Sequence, residues 1–569
     1  MRHRFKTFGA GAGVSACLLL GSLGVAAGQG VLPADTVFIN GKVFTADTQS
    51  AIVQAFAVKD DRFVAAGSDA AIRVYQGPAT KIVDLHGRLV VPGLADGHLH
   101  NEGGGPGIDL SQVRTLADLL AAVATAAKSA NPGDLIVSNA DWHEAQLKEK
   151  RLPLARELDE AAPKNPVVLV RGGHSMILNT VALRKFNITR DTQQPEGGVI
   201  RKGPDGEPNG ELFDNAKKLV EVPRPKPVSL DDVLATQKKL NAYGITAVRI
   251  PGAYKGNMLA DYKLIKEARE KGLLTLRYSI LLPGFGTRDP AKIRQLIETW
   301  GVKQGEGDDW VRIWGIKLLV DGGFEGGHMS QPYEEPYGEG GKYVGLTVVP
   351  PDDFTAVVKE LHRLGWRVTT HAVGDAALDE VLDAYEAANA ERPIGTERWA
   401  IEHAFLAGPS EIQRMKKLDL ILSVQDHLYL AAPALEKYWG RARADRVTPL
   451  KTYLDNDFLV VGGTDSPVVP FNPFWEMYNF LTRDTIAGGV FGPAERVTSR
   501  ATLLRMITIN YAKLIGEERT KGSIEPGKLA DFAILSEDIL TVPAQRIRDT
   551  KALATYVGGK LVYQDPAYH

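Results

Sequence analysis

Short apolar runs rich in Val, Ile and Trp recur through the second half of this chain, and almost every one closes on a polar residue able to hold a metal ion. They include Trp310-Val311-Arg312-Ile313-Trp314-Gly315-Ile316-Lys317, Trp366-Arg367-Val368-Thr369-Thr370-His371, Trp399-Ala400-Ile401-Glu402-His403, Ile421-Leu422-Ser423-Val424-Gln425 and Leu459-Val460-Val461-Gly462-Gly463-Thr464-Asp465. Helical stretches lie between them, such as 352–364 and 375–389. Strand and helix in alternation is the pattern of βα units around a parallel sheet. In a parallel barrel the C-terminal strand ends meet at one mouth, so polar residues placed there share a site. A chain of 569 residues, several times the usual ~100–200 per domain, suits one large barrel with attachments.

Both ends depart from that rhythm. From 31 to 91 the chain reads as short strands, among them Val37-Phe38-Ile39, Ala55-Phe56-Ala57-Val58 and Lys81-Ile82-Val83. Turn pairs such as Asn40-Gly41 and Asp60-Asp61 separate them, which predicts a small antiparallel module. The tail, 516–569, has the same character, with Asp531-Phe532-Ala533-Ile534-Leu535 and Ala554-Thr555-Tyr556-Val557 as strands. The two ends are expected to pair as one β-sandwich, leaving a central α/β domain over 92–515. Residues 101–227 lack the βα rhythm and read as an insertion over the barrel mouth.

The 67 basic and 69 acidic residues leave a net charge of −2, so no positive field exists to hold nucleic acid or anionic lipid. A small-molecule substrate is the expected partner, with a homodimer as the one assembly considered. The only cysteine, Cys17, excludes an intrachain disulfide. It lies in a leader that is basic at Arg2, Arg4 and Lys6, apolar through Leu18-Leu19-Leu20, and small-residue-rich up to Ala27. Residues 1–27 therefore read as a secretory signal, which predicts a periplasmic or secreted bacterial protein free of the membrane after cleavage. The competing reading is an uncleaved anchor. A lipobox fits less well because the apolar run follows Cys17, and His3 separates the arginines that a twin-arginine signal needs together.

Candidate ligands follow from residue type and place. His98 and His100, in Pro92-Gly93-Leu94-Ala95-Asp96-Gly97-His98-Leu99-His100, are two apart, and on a strand both would face one side and reach one ion. His371 and His403 each close an apolar run, although either alone could be a packed core histidine. Asp465 alone would pass as a helix cap. Lys317 interrupts an apolar strand and must be neutralised, paired or modified if buried, with Asp321 as the candidate partner. Together these residues supply the nitrogen and oxygen ligands suited to zinc or a similar ion.

With Arg171-Gly172-Gly173-His174-Ser175, His371-Ala372-Val373-Gly374-Asp375, Ile401-Glu402-His403-Ala404 and Gly522-Ser523-Ile524-Glu525-Pro526-Gly527-Lys528, the chain resembles the amidohydrolase superfamily, in particular amidohydrolase family 3 and its YtcJ-like branch. The resemblance implies a distorted (β/α)8 TIM barrel with a β-sandwich built from both termini. It implies two divalent ions, zinc first among them, held by His98, His100, His371, His403 and Asp465, with an N-carboxylated Lys317 as bridge. The expected activity is hydrolysis of an amide-type C–N bond by a metal-activated water, with Asp465 carrying the proton. Arg171 and His174 are expected to bind substrate. The competing functions are an esterase or lactonase, a deaminase on the same scaffold, and a periplasmic binding protein without turnover. The chain departs from the family pattern after Val320-Asp321-Gly322, where Gly323 and Glu325-Gly326-Gly327-His328 stand, and at Asp426, where a proline is usual.

Overall fold

The computed structural model describes residues 32–101, 107–172, 174–222, 227–252, 257–334 and 340–568; the predicted leader, with Cys17, lies outside them. Its centre is a parallel sheet of eight strands: β1 (Leu94–Asp96), β2 (Ile245–Ile250), β3 (Arg277–Pro283), β4 (Val311–Leu319), β5 (Val368–Ala372), β6 (Ala400–His403), β7 (Ile421–Gln425) and β8 (Val460–Gly463). Neighbours follow chain order from β1 to β8. The seam between β8 and β1 is closed just past β1, where Gly97 N donates to Gly462 O at 3.0 Å and Asp465 N to His98 O at 2.6 Å. Only glycine fits this seam, since a Cβ on Gly97 would stand 2.5 Å from Gly462 O. The result is the expected (β/α)8 barrel.

Strands β5 to β8 are buried at every residue, because the barrel interior covers one face and helices cover the other. That double burial is why their sequences read as apolar runs without alternation. Helices Pro351–Arg363 and Asp375–Glu391 pack outside; the first begins on a proline and carries Asp352 and Asp353 in its first turn, where the helix dipole favours them. One end of the barrel is filled by Trp314, Leu281 and Val461 with Tyr511 from helix Ile509–Ile515, and the Arg249 guanidinium lies 4.3 Å above the Trp314 ring.

The termini share a sheet. Strand Leu89–Pro92 pairs antiparallel with Phe532–Leu535, with Phe532 opposite Pro92. That six-stranded sheet packs on a four-stranded N-terminal sheet through phenylalanines: Phe38 stacks on Phe56 at 4.7 Å, and Phe532 meets Phe56 edge-on at 4.9 Å. The N-terminal module is not purely antiparallel as its turn pairs suggested. Thr36–Ile39 runs parallel to Lys81–Asp84, and Lys42–Phe44 parallel to Leu89–Pro92. The intervening stretch, which includes helix Asp69–Arg73, carries the chain back to its starting side, a crossover that local turn chemistry does not reveal.

Between β1 and β2 a separate five-stranded sheet forms, in which Val167–Arg171 and Ser175–Leu178 are antiparallel neighbours. The Gly198–Lys202 and Pro208–Asp214 strands complete it as a hairpin. Among the described residues, no helix is long and apolar enough to cross a membrane.

Candidate metal centre and its cavity

β1 ends at Asp96, so His98 and His100 stand on the turn after the strand and not within it. Asp96 shapes that turn: its Oδ1 accepts from His98 N and Thr464 N, each at 3.0 Å, and its Oδ2 from Thr464 Oγ1 at 2.6 Å. One buried carboxylate thus ties both histidines to the end of β8, where Asp465 follows. His403 (φ 74°) and Asp465 (φ 58°) lie in the left-handed region, an uncommon state for such residues and a mark of functional sites. The bend turns His403 toward the cavity while Glu402, one residue earlier, reaches His98, Arg249 and Thr369 inside the barrel.

The hydrogen bonds assign the ring protons. His98 Nδ1 lies 2.6 Å from Glu402 Oε2, and His100 Nδ1 lies 2.5 Å from the Gly252 carbonyl. A carbonyl only accepts, and burial, which would push Glu402 up, is outweighed by Arg249, His98 and Lys317, so Glu402 stays ionised and only accepts too. Each Nδ1 therefore carries a hydrogen, and each Nε2 is the ring atom turned toward the centre. The two Nε2 atoms are 3.3 Å apart, and Asp465 Oδ1 lies 3.2 Å from both. Asp465 Oδ1 is buried without a hydrogen-bond partner. Two imidazole nitrogens and a carboxylate oxygen converging at this spacing fit a divalent cation.

The remaining predicted ligands gather beside this trio. His403 Nδ1 lies 2.6 Å from Gln425 Oε1, which frees its Nε2, and its donor atoms cluster with those of His427 and Asp465 within 4.8 Å. His371 Nε2 lies 3.1 Å from Gly322 O, and its ring centroid is 4.6 Å from that of His403. Lys317 Nζ lies 3.5 Å from His98 Nε2; it does not pair with Asp321, which instead accepts from the backbone of His328, Val373 and Gly374. All six predicted ligands therefore meet at one end of the barrel.

Burial lowers His100, and it drives His371 and His403 well below the ordinary imidazole range with nearby positive groups adding to it, which favours the neutral form that a metal ion requires. Burial also brings Lys317 down to about 8, against the pull of Glu402 and Asp465. Asp465 is pushed up by burial, but His98, His100 and His427 outweigh that and hold it well below the carboxylate range.

Above the centre opens a cavity of about 410 Å³, walled by Phe324, Phe405, Val373 and Val468 and by insertion residues Arg171 and His174. His174 Nδ1 lies 2.6 Å from Asp214 Oδ1, which orients its ring beside His371. The departure at Gly323 makes room for that ring, since a Cβ there would stand 2.4 Å from His174 Cγ. Arg171, expected to contact substrate, lines the cavity and is held by the protein. Its five N–H groups go to Glu144 (twice), Glu325, Ser175 and His143. Burial would raise Glu144, yet Arg171 and His143 hold it down at about 2, while burial lifts Glu325 above the ordinary range.

Sequence reasoning missed several residues of this site. Glu402 and Asp96 each stood inside a quoted motif, next to a ligand, but nothing local shows that they orient His98. His427 begins a helix, His427–Trp439, and its one sequence signal is its place two residues beyond the β7 run. Its Nε2 lies 2.9 Å from Asp465 Oδ2.

The Amidohydrolase family model matches residues 81–563. The chain is 31% identical to Protein LONG AFTER FAR-RED 3 of Arabidopsis thaliana, over 93% of this chain and 92% of that protein. It is 28% identical to the N-substituted formamide deformylase of Arthrobacter pascens, over 93% and 98%. A solved structure described as an uncharacterized metal-dependent hydrolase from Pyrococcus furiosus shares 25% identity and a TM-score of 0.62, covering 89% of this chain and 100% of that one. By its barrel, its ligand set and this match over most of its length, the chain belongs to the amidohydrolase family.

Proposed function

We propose that this chain hydrolyses C–N bonds of small amides with two divalent ions, zinc first among them. The observation that carries the reading is the approach of His98 Nε2, His100 Nε2 and Asp465 Oδ1 to within 3.3 Å of one another, with His98 Nδ1 turned to Glu402 and His100 Nδ1 to the Gly252 carbonyl. When bound, such ions lower the pKa of water from ~15.7 toward ~7 and polarise the scissile carbonyl. The protein's own groups handle the proton. Asp465, ionised and held at Oδ2 by His427, takes a proton from the attacking water and passes it to the leaving nitrogen. His174, aimed by Asp214, receives the carbonyl oxygen or a carboxylate of the substrate. Arg171 acts at one remove, by holding Glu144 and Glu325 in the wall.

For Lys317 the reading is N-carboxylation. The neutral amine adds to carbon dioxide and loses a proton, which turns a cation among the ligands into a bridging anion. The printed activity of the Arthrobacter relative makes formamides the first substrates to screen, beside N-acyl amino acids and aryl amides. The leader reading also stands as a proposal, tested by N-terminal sequencing of exported protein for a start at Gly28.

Asp465→Asn should reduce turnover at least about 10³-fold while metal content by elemental analysis stays near wild type. Turnover close to wild type would sink that role. Lys317→Ala should bind fewer than two ions per chain, and unchanged stoichiometry would exclude the bridge.

A further inference from the structure

Arg171 divides its donors unevenly between the two carboxylates beside it. Glu144 takes two of its N–H groups, from Nε and Nη2, whereas Glu325 takes one, from Nη1. The other two go to Ser175 and His143, so the guanidinium has none left to offer. Glu325 Oε2 is buried and meets no hydrogen-bond donor. Among the described residues Arg171 is the one cation paired with Glu325, while Glu144 and Asp214 repel it. One guanidinium thus serves two buried carboxylates, and this wall is short of a positive charge.

The under-served side chain borders the cavity on a fixed support. Glu325 is 1% exposed and lines the cavity beside the apolar Phe324, Phe405 and Val373. Tyr343 Oη donates to its carbonyl at 2.6 Å, and Gly326 N donates to Gly323 O at 3.0 Å, which ties the turn that carries it. Glu325 belongs to neither group of donor atoms able to hold a metal ion, so its free oxygen is not spent on the centre. A bare carboxylate oxygen among apolar walls is a ready acceptor for a charged donor, because a low local dielectric strengthens the pairing.

We infer that Glu325 Oε2 binds a cationic group of the substrate, a primary ammonium remote from the scissile bond, so that the enzyme prefers amides carrying one to their uncharged isosteres. The inference rests on the proposed C–N hydrolysis and deepens it by naming a charge that the substrate carries beyond the amide. The ammonium supplies the donor that Oε2 lacks and the positive charge that Arg171 cannot share further. An alkyl group in its place would leave the carboxylate buried with its second oxygen unpaired.

The test sets the series from 3-aminopropanamide to 6-aminohexanamide against the alkanamides with CH3 in place of NH3+, on the zinc-loaded full chain. The amide nitrogen is unsubstituted throughout, so each pair differs only in the remote charge. The readout is kcat/KM where turnover occurs and Kd by calorimetry where it does not. In wild type the best ammonium member should be favoured over its isostere by at least about tenfold. In Glu325→Gln, whose amide oxygen can still accept from Arg171 while an NH2 replaces Oε2, the ratio should fall toward one. Glu325→Asp, which keeps the charge on a shorter stem, should retain the preference with its optimum one methylene longer. A wild-type ratio near one at every chain length overturns the inference, as does a ratio unchanged in Glu325→Gln. If the Gln variant does not fold, Glu325→Asp decides, and an optimum that stays at the wild-type chain length overturns the inference. If no amide is turned over, the C–N hydrolysis reading falls separately and the Kd ratios decide on Glu325 by the same criteria; failure of every ammonium member to bind overturns its role.

Discussion

Arg171 shows how a buried charge can shape a cavity wall through the partners it holds. Its guanidinium sits between Glu144 and Glu325, and removing it would leave two carboxylates buried and uncompensated. Arg171→Met should therefore lower stability by about 3–5 kcal/mol, measured by urea denaturation, since breaking a buried pair on one side exposes the desolvation cost of the other. The pH dependence has a definite sign. Glu144 is held at about 2 against an ordinary 4.5, a depressed carboxylate, so its contribution is present above pH 4.5 and disappears as pH falls toward 2. Wild type should lose stability across that window. The Met variant, with the carboxylate no longer held down, should show a flatter acid limb in the same denaturation series.

The predicted ligands gather at the C-terminal ends of five strands, His98 and His100 sharing one turn, and for those beyond a strand end the connecting loops set the aim. The loop after β4 brings Gly323 against the His174 ring, so the insertion and the barrel meet there at contact distance. Gly323→Ala places a methyl where that ring now lies. The expected result is a rise in KM or a fall in kcat/KM of at least about tenfold, with an unchanged circular dichroism spectrum, because the clash displaces one cavity side chain rather than a strand. Full activity in Gly323→Ala would show that the position of His174 does not matter to turnover. The left-handed backbone at His403 and Asp465 is a second device of this kind, allowing adjacent residues to serve different layers. Alternation along a strand would have sent Glu402 and His403 to opposite faces.

At the scale of the whole molecule, barrel and sandwich are joined through a buried ion pair. Arg277 of β3 makes a two-pronged contact with Asp531, at 2.6 and 2.9 Å, and Asp531 Oδ1 also accepts from Gly558 N at 2.8 Å. Asp531→Ala strands the arginine beneath the sandwich and should cost about 3–5 kcal/mol of stability while leaving metal content intact, read by thermal unfolding and elemental analysis. A variant with wild-type stability would mean that the two parts hold together without this pair.

Much of this was legible in the residues alone. The apolar runs, their closing residues and the strand-like ends follow from local periodicity and composition, which depend on neighbours a few positions away, and the barrel, the paired ends and the choice of six candidate ligands rest on them. Partners were not legible, because they come from far along the chain: Glu402 orients His98 from 304 positions away, and Glu325 pairs with Arg171 across 154. Which ring nitrogen carries a hydrogen, where the arginine donors go, and that His427 stands against Asp465 are therefore decisions of the tertiary structure. Type and spacing determine what a side chain can do, and only packing determines which of its atoms remain without a partner.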